Sequence, residues 1–194
     1  MRRIKAWKIF NQVDELPDTF HLLPMPLIID NSENNIEFIE YINSYKICNS
    51  LIIFDTFKKC TSNDNNKNYD TTIFLNSIYD IIKFTYSQIM IVHYSGKNKE
   101  RGMLGETALI GALDAVFKIE KLRKFYAKMV CEKIRDVDSP DDIDFKMNVV
   151  DTMRKDVNML DVTSLVPEKI NKKLVRNARA ICSRSESDDN DEEW

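Results

Sequence analysis

Glycine is scarce in this chain. Its 194 residues include four, Gly96, Gly102, Gly105 and Gly111, and none precedes Lys-Ser or Lys-Thr. The phosphate-cradling loop GxxxxGK followed by Ser or Thr is therefore missing from these residues. Cysteine is sparse as well. Cys48, Cys60, Cys131 and Cys182 show neither a CxxC pair nor a metal-ligand rhythm, so reduced cytosolic thiols are expected. No apolar run approaches the length of a membrane span. The basic start "MRRIKAWKIF" lacks a long apolar stretch and a small-residue cleavage site, which leaves a cytoplasmic protein without membrane association as the expectation. Neither sign of charge dominates: 28 Lys and Arg face 31 Asp and Glu, for a net charge of −3. Much of the acid sits in "SRSESDDNDEEW", residues 183–194, so the body is close to neutral. Whole-chain electrostatics thus neither demands nor excludes nucleic acid.

What is present describes an ordinary folded protein. A hydrophobic share of 43% and a charged share of 30% are enough for one domain with a core. Ile4, Trp7 and Phe10 recur at helical spacing over Ile4–Val13, and "TFHLL" reads as a short strand before the breaker "PMP". From Asn35, Ile36, Ile39 and Ile42 share a helical face, capped upstream by Ser32 or Asn34. Thr71–Tyr86 reads as a second amphipathic helix and Thr107–Leu113 as a short one. "DAVFKIEKL" reads as a strand. "FYAKMVCEKI" and "DIDFKMNVVD" form a hairpin around the acidic turn "RDVDSPDD". Beyond Thr152 a loose helix is expected, then disorder.

Two buried-looking strands end on chemistry. In "NSLIIFDTFKKC" the apolar run Leu51–Phe54 stops at Asp55 and Thr56, and "QIMIVHYS" stops at His93. Apolar runs without alternation suggest strands buried on both faces of a parallel sheet. Ligands of such sheets bind beyond the carboxyl ends of the strands. Asp55 is there either a cap for the following turn or a metal-site group. If the Thr71–Tyr86 helix joins the two strands as a parallel crossover, Asp55 and His93 stand at one edge. The loop "GKNKERGMLGE" after His93 carries three of the four glycines, as expected of a mobile or ligand-approaching segment.

The run "LIIFDTFKKC … QIMIVHYSGKNKERGMLGETALIGALDAVFKIEK" resembles the RepA-like RecA-fold ATPases, an AAA-family group that includes a hexameric replicative helicase. "RIKAWKIF", "PDTFHLLP" and "CEKIRD" are similar to further family segments, so the likeness spans about Arg3 to Val150. The resemblance implies an α/β fold: an incomplete RecA-like, mostly parallel sheet flanked by helices, with a C-terminal β-hairpin. Residues 1–150 would be the partial ATPase domain, 151–182 a helical extension and 183–194 a disordered acidic tail. It also implies ATP and Mg2+ as cofactors. Asp55 matches the Walker B aspartate that holds magnesium, usually through water, with Thr56 in support. His93 matches the γ-phosphate sensor, and Lys97 and Arg101 face phosphate or nucleic acid. Lys133 and Arg135 match positions that reach a neighbour's nucleotide in trans. The implied partners are further copies of the chain or a complementing N-terminal ATPase fragment, together with DNA.

The departures carry their own expectation. Besides the phosphate loop, the catalytic glutamate of the strand before the Arg-x-Ala-Trp helix is missing. Tyr94 stands for a second His, Leu104 for a common Arg, and Glu106-Thr107 for Ser-Ser. The chain is expected to begin just after the absent pieces. A phosphate loop contributes charge-assisted hydrogen bonds of roughly 1.5–3 kcal/mol each. Losing three costs on the order of 5–9 kcal/mol, roughly three to six decades in affinity. Unaided ATP hydrolysis is therefore not expected, and a non-catalytic interaction module is the alternative. The strand that bears the loop would lie between "QIMIVH" and "AVFKIE". Those two segments must then pair directly or leave open apolar edges.

Overall fold

A computed structural model describes residues 2–25, 27–62, 68–94 and 106–170. In chain order the elements are α1 (Arg2–Asn11), α2 (Ser32–Ser44), β1 (Leu51–Asp55), a 3-10 turn (Phe57–Lys59), α3 (Asn68–Thr85), β2 (Gln88–Val92), α4 (Glu106–Ala112), β3 (Ala115–Arg123), β4 (Tyr126–Ile134), β5 (Ile143–Lys155) and β6 (Asp161–Ile170). They fall into two compact units, His21–Leu113 and the combination of Met1–Phe20 with Asp114–Trp194.

The His21–Leu113 unit is built on a parallel pair. β1 and β2 run side by side with Leu51 opposite Gln88 and Asp55 opposite Val92. The crossover between them contains α3. Because side chains alternate along a strand, Ile52 and Phe54 share one face with Ile89 and Ile91. That face packs into a core of Ile29, Phe54, Phe57, Cys60, Phe74, Ile78, Ile81 and Leu109. Phe74 of α3 meets Phe57 edge-on at 4.7 Å and 89°, and Phe54 at 6.4 Å and 74°. α2 starts where Asn31 caps it, its side-chain oxygen accepting from the backbone N–H of Glu33 at 2.9 Å and Asn34 at 3.4 Å. The cap expected from Ser32 or Asn34 thus comes from the residue just before, an extended asparagine whose side chain can reach both amides. Burial of β1 and β2 on both faces is corrected: Leu51, Ile53 and Met90, on the opposite face, are about half exposed (52%, 54% and 48%). "TFHLL" is corrected too, since Thr19 to Leu23 form no strand. Pro17 and Pro24 bracket that segment, and each removes a donor that pairing would use.

The other unit is an antiparallel meander in the order β3-β4-β5-β6. The expected hairpin is its centre, with Tyr126 opposite Lys146 and Met129 opposite Ile143. The expected helix over 151–182 is, as far as Ile170, the end of β5 and the whole of β6. Between them Asp156 makes the turn: its carboxylate accepts from the N–H of Asn158 and Leu160 at 2.8 and 2.9 Å, while Met159 takes a left-handed φ of 61°. β6 lies at the edge of the described sheet and carries Pro167 opposite Met147. α1 lies on β5 and β6, burying Ala6 against Val150 and Val166, with Phe10 beside them. It stops two residues earlier than its apolar spacing suggests. The N–H of Gln12 and Val13 turn back to the carbonyls of Ile9 and Lys8 at 3.3 and 3.0 Å, with Gln12 at φ 55°. Those two bonds close a Schellman cap and satisfy carbonyls that a helix end leaves open.

The architecture is therefore mixed α/β, but the six described strands do not form one mostly parallel sheet. Two are parallel and four antiparallel, in separate sheets. β2 pairs with β1 and β3 with β4, so "QIMIVH" and "AVFKIE" do not pair with each other. No described helix is long and apolar enough to cross a membrane.

Candidate functional site

Asp55 ends β1 directly opposite Val92, and His93 is the next residue after β2. Parallel neighbours lie about 4.8 Å apart, so both residues stand at the carboxyl end of one strand pair. The turn after Asp55 reaches across to β2. Phe57, the first residue of the 3-10 turn, holds its ring 5.3 Å from the imidazole of His93 at a tilt of 38°. Asp55 and His93 are exposed, whereas Thr56 between Asp55 and Phe57 is buried at 3% exposure. The Asp55–Thr56 peptide bond is cis.

The cap reading of Asp55 is answered by the turn itself. The residue at the cap position is Thr56, and no side chain bonds the turn's amides there. The Asp55 carboxylate has no hydrogen bond or ion pair to any described residue, so its oxygens face solvent and can accept a cation, a water or a donor group. No cluster of three or more His, Cys, Asp or Glu suited to a metal occurs among the described residues. A single carboxylate does suit magnesium that arrives with phosphates and keeps several waters.

Cys60 is the neighbour that sequence reasoning missed. It closes the 3-10 turn, lies in the core at 5% exposure and accepts no disulfide partner. Burial raises its thiol pKa above the ordinary value, and the Asp55 carboxylate raises it further. A hydrogen bond with the Leu27 backbone and the charge of Lys59 oppose the shift. Because the folded thiol holds its proton more tightly than the unfolded one, this group favours folding most fully below the unfolded range, about 8.5. The contribution is lost as pH rises through the folded pKa. At pH 8, alkylation with iodoacetamide is expected to be slow at Cys60 and faster in Asp55→Asn. An equal rate in both proteins, followed by mass spectrometry of the labelled peptide, would remove Asp55 from the thiol's surroundings. The one signal in the sequence is Cys60 standing five residues past Asp55, on the far side of a tight "FKK" turn.

Of the remaining candidates, Lys133 and Arg135 are placed elsewhere. Lys97 and Arg101 lie outside the described residues. Lys133 belongs to β4, opposite Val116, in the antiparallel unit. Arg135 follows β4 and is held by Asp114: its guanidinium meets the carboxylate at 3.2 Å and its N–H the carbonyl at 3.0 Å. Asp55, Thr56 and His93 are thus brought together within one unit, and Lys133 and Arg135 form a second group in the other.

No protein-family model matches this chain, and no curated protein matches it either.

Proposed function

We propose that residues 21–113 carry the magnesium-and-sensor edge of a RepA-like RecA-fold nucleotide site, and that the chain does not hydrolyse ATP unaided. The observation that carries this reading is the parallel register, Asp55 opposite Val92 with His93 next, which puts two chemically distinct side chains at one carboxyl-end edge. Asp55 would hold a nucleotide-borne magnesium, whose chemistry is to neutralise phosphate charge. Thr56 supports the turn behind it, and His93 stands at the same edge, in the position that the resemblance gives to the sensor of the terminal phosphate. Lys97 and Arg101 follow in the glycine-bearing loop, while Lys133 and Arg135 are the cations for a neighbouring subunit's nucleotide. A chain that carries a phosphate loop completes the site, further copies supply the cations in trans, and DNA is the substrate the resemblance suggests.

One observation favours the alternative, a non-catalytic module that keeps the fold for association: the half-exposed apolar face of Leu51, Ile53 and Met90. The two readings separate on metal. With ATP and Mn2+ added, paramagnetic broadening is expected at the amides of Asp55, Thr56 and His93 and is lost in Asp55→Asn. Phosphate release from Mg-ATP is expected at the buffer rate. Broadening that ignores Asp55→Asn overturns the nucleotide site, and turnover that vanishes in Asp55→Ala overturns the claim of inactivity.

A further inference from the structure

The carboxyl end of α1 borders an open cavity of about 640 Å3, formed with the end of β5. Lys5 and Lys8, three residues apart and so on one helical face, line it together with Arg154 of β5. The Schellman cap folds Val13 and Asp14 back against the same face. Three cations therefore meet one carboxylate, Asp14. Lys5 and Lys8 are half-buried, and neither they nor Arg154 have a hydrogen bond or ion pair to any described residue. The helix dipole works against an anion at this end, but the carbonyls of Lys8 and Ile9 are already taken by the cap. Ile4, Ile9 and Val13 supply an apolar wall beside the cations.

We propose that this cavity binds an organic phosphate, with the phosphate on Lys5, Lys8 and Arg154 and the uncharged body on Ile4, Ile9 and Val13. A guanidinium fork flanked by two ammonium groups suits phosphate oxygens. The volume lies in the range of roughly 300–1,000 Å3 usual for small-molecule sites. The ligand is a free mononucleotide or one nucleotide of a single strand, which share this chemistry. The site involves none of Asp55, Thr56 or His93 and stands independently of the function proposed for them.

The test uses the full chain without magnesium, titrated with AMP, with a fluorescent twelve-residue oligothymidylate and with inorganic phosphate. Amide shifts are expected at Lys5, Lys8 and Arg154 with AMP or the oligonucleotide, and weaker binding with inorganic phosphate. Response to AMP identifies a free nucleotide as sufficient, while response to the oligonucleotide alone assigns the strand. In the second case, the single phosphate contact predicts a logarithmic salt slope of about −0.7. Lys8→Glu combined with Arg154→Glu is expected to weaken binding by roughly tenfold or more, whereas Lys83→Gln, a lysine of α3 outside the cavity, leaves it unchanged. Lys8→Gln is the milder substitution should the double variant fail to fold. The proposal is overturned if neither nucleotide probe binds more tightly than about 1 mM, or if folded variants bind like the parent. It is equally overturned if Lys83→Gln weakens binding as much as the cavity variants do.

Discussion

Phe74→Ala is expected to destabilise the His21–Leu113 unit by roughly 3–5 kcal/mol, the usual cost of removing a buried ring. Phe74 is fully buried and joins three parts of the unit at once. It belongs to α3, meets Phe54 of β1, and packs edge-on against Phe57 of the turn that follows Asp55. A domain stable by about 5–15 kcal/mol keeps little in reserve after such a loss. The variant would therefore disturb the Asp55 edge without touching it. Urea titration followed by hydrogen exchange at the β1 and β2 amides checks this. Phe74→Leu, which keeps most of the volume, is expected to cost under about 1.5 kcal/mol. If Phe74→Ala costs no more than Phe74→Leu, the ring is not the hub of this core.

Val166→Asp should damage the antiparallel unit comparably, by a different route. Val166 is 1% exposed beneath α1, in a cluster with Ala6 and Val150. A carboxylate there loses its water, and an unpaired buried charge costs several kcal/mol. Desolvation raises the pKa of such an Asp in the folded state above its unfolded value, about 3.9. Stability then falls as pH rises through the folded pKa. The variant should recover part of its loss near pH 4, relative to the parent protein at the same pH, and be weakest near pH 7. Thermal melts of both proteins at the two pH values measure the difference. A deficit that does not depend on pH would mean that the carboxylate has found a partner or reached water. Val166→Ala, which removes volume without charge, should show no such pH dependence.

Legibility from the sequence followed local pattern strength. β1 and β2 were readable because "LIIF" and "QIMIV" are unbroken apolar runs, and α3 because Phe74, Ile78 and Ile81 repeat at helical spacing. Their pairing in parallel followed from the helix between them. Burial on both faces did not follow, because the same apolar runs stand here with one face packed and the other about half exposed. β6 escaped because "DVTSLVPEKI" mixes polar residues with a proline and runs into a lysine-rich segment of helical composition. Its alternation, with Val162 and Val166 on the α1 side, acquires meaning only once α1 supplies a surface to meet it. Asp55 and His93 were legible as strand-ending residues, since strand ends show in sequence as abrupt changes of polarity. Cys60 was not, because a thiol on the far side of a turn acquires its neighbours only in three dimensions. The cation group at α1 was hidden for the same reason: Arg154 is about 150 residues from Lys5 and comes beside it only across the sheet.

Pro167 makes the two edges of the described antiparallel sheet unequal. An incoming strand needs a continuous row of amide donors, and a proline in β6 leaves a gap in that row on whichever side its missing N–H falls. Met147, opposite Pro167, turns its N–H to the Phe125 carbonyl and not to β6, so the gap faces the outer rim, where a foreign strand would lose registry. Among the described strands that leaves β3, which carries Lys118, Glu120 and Lys121, as the edge without a proline. One edge of the described sheet is thus closed to imitation by a proline, and the other is guarded by charge.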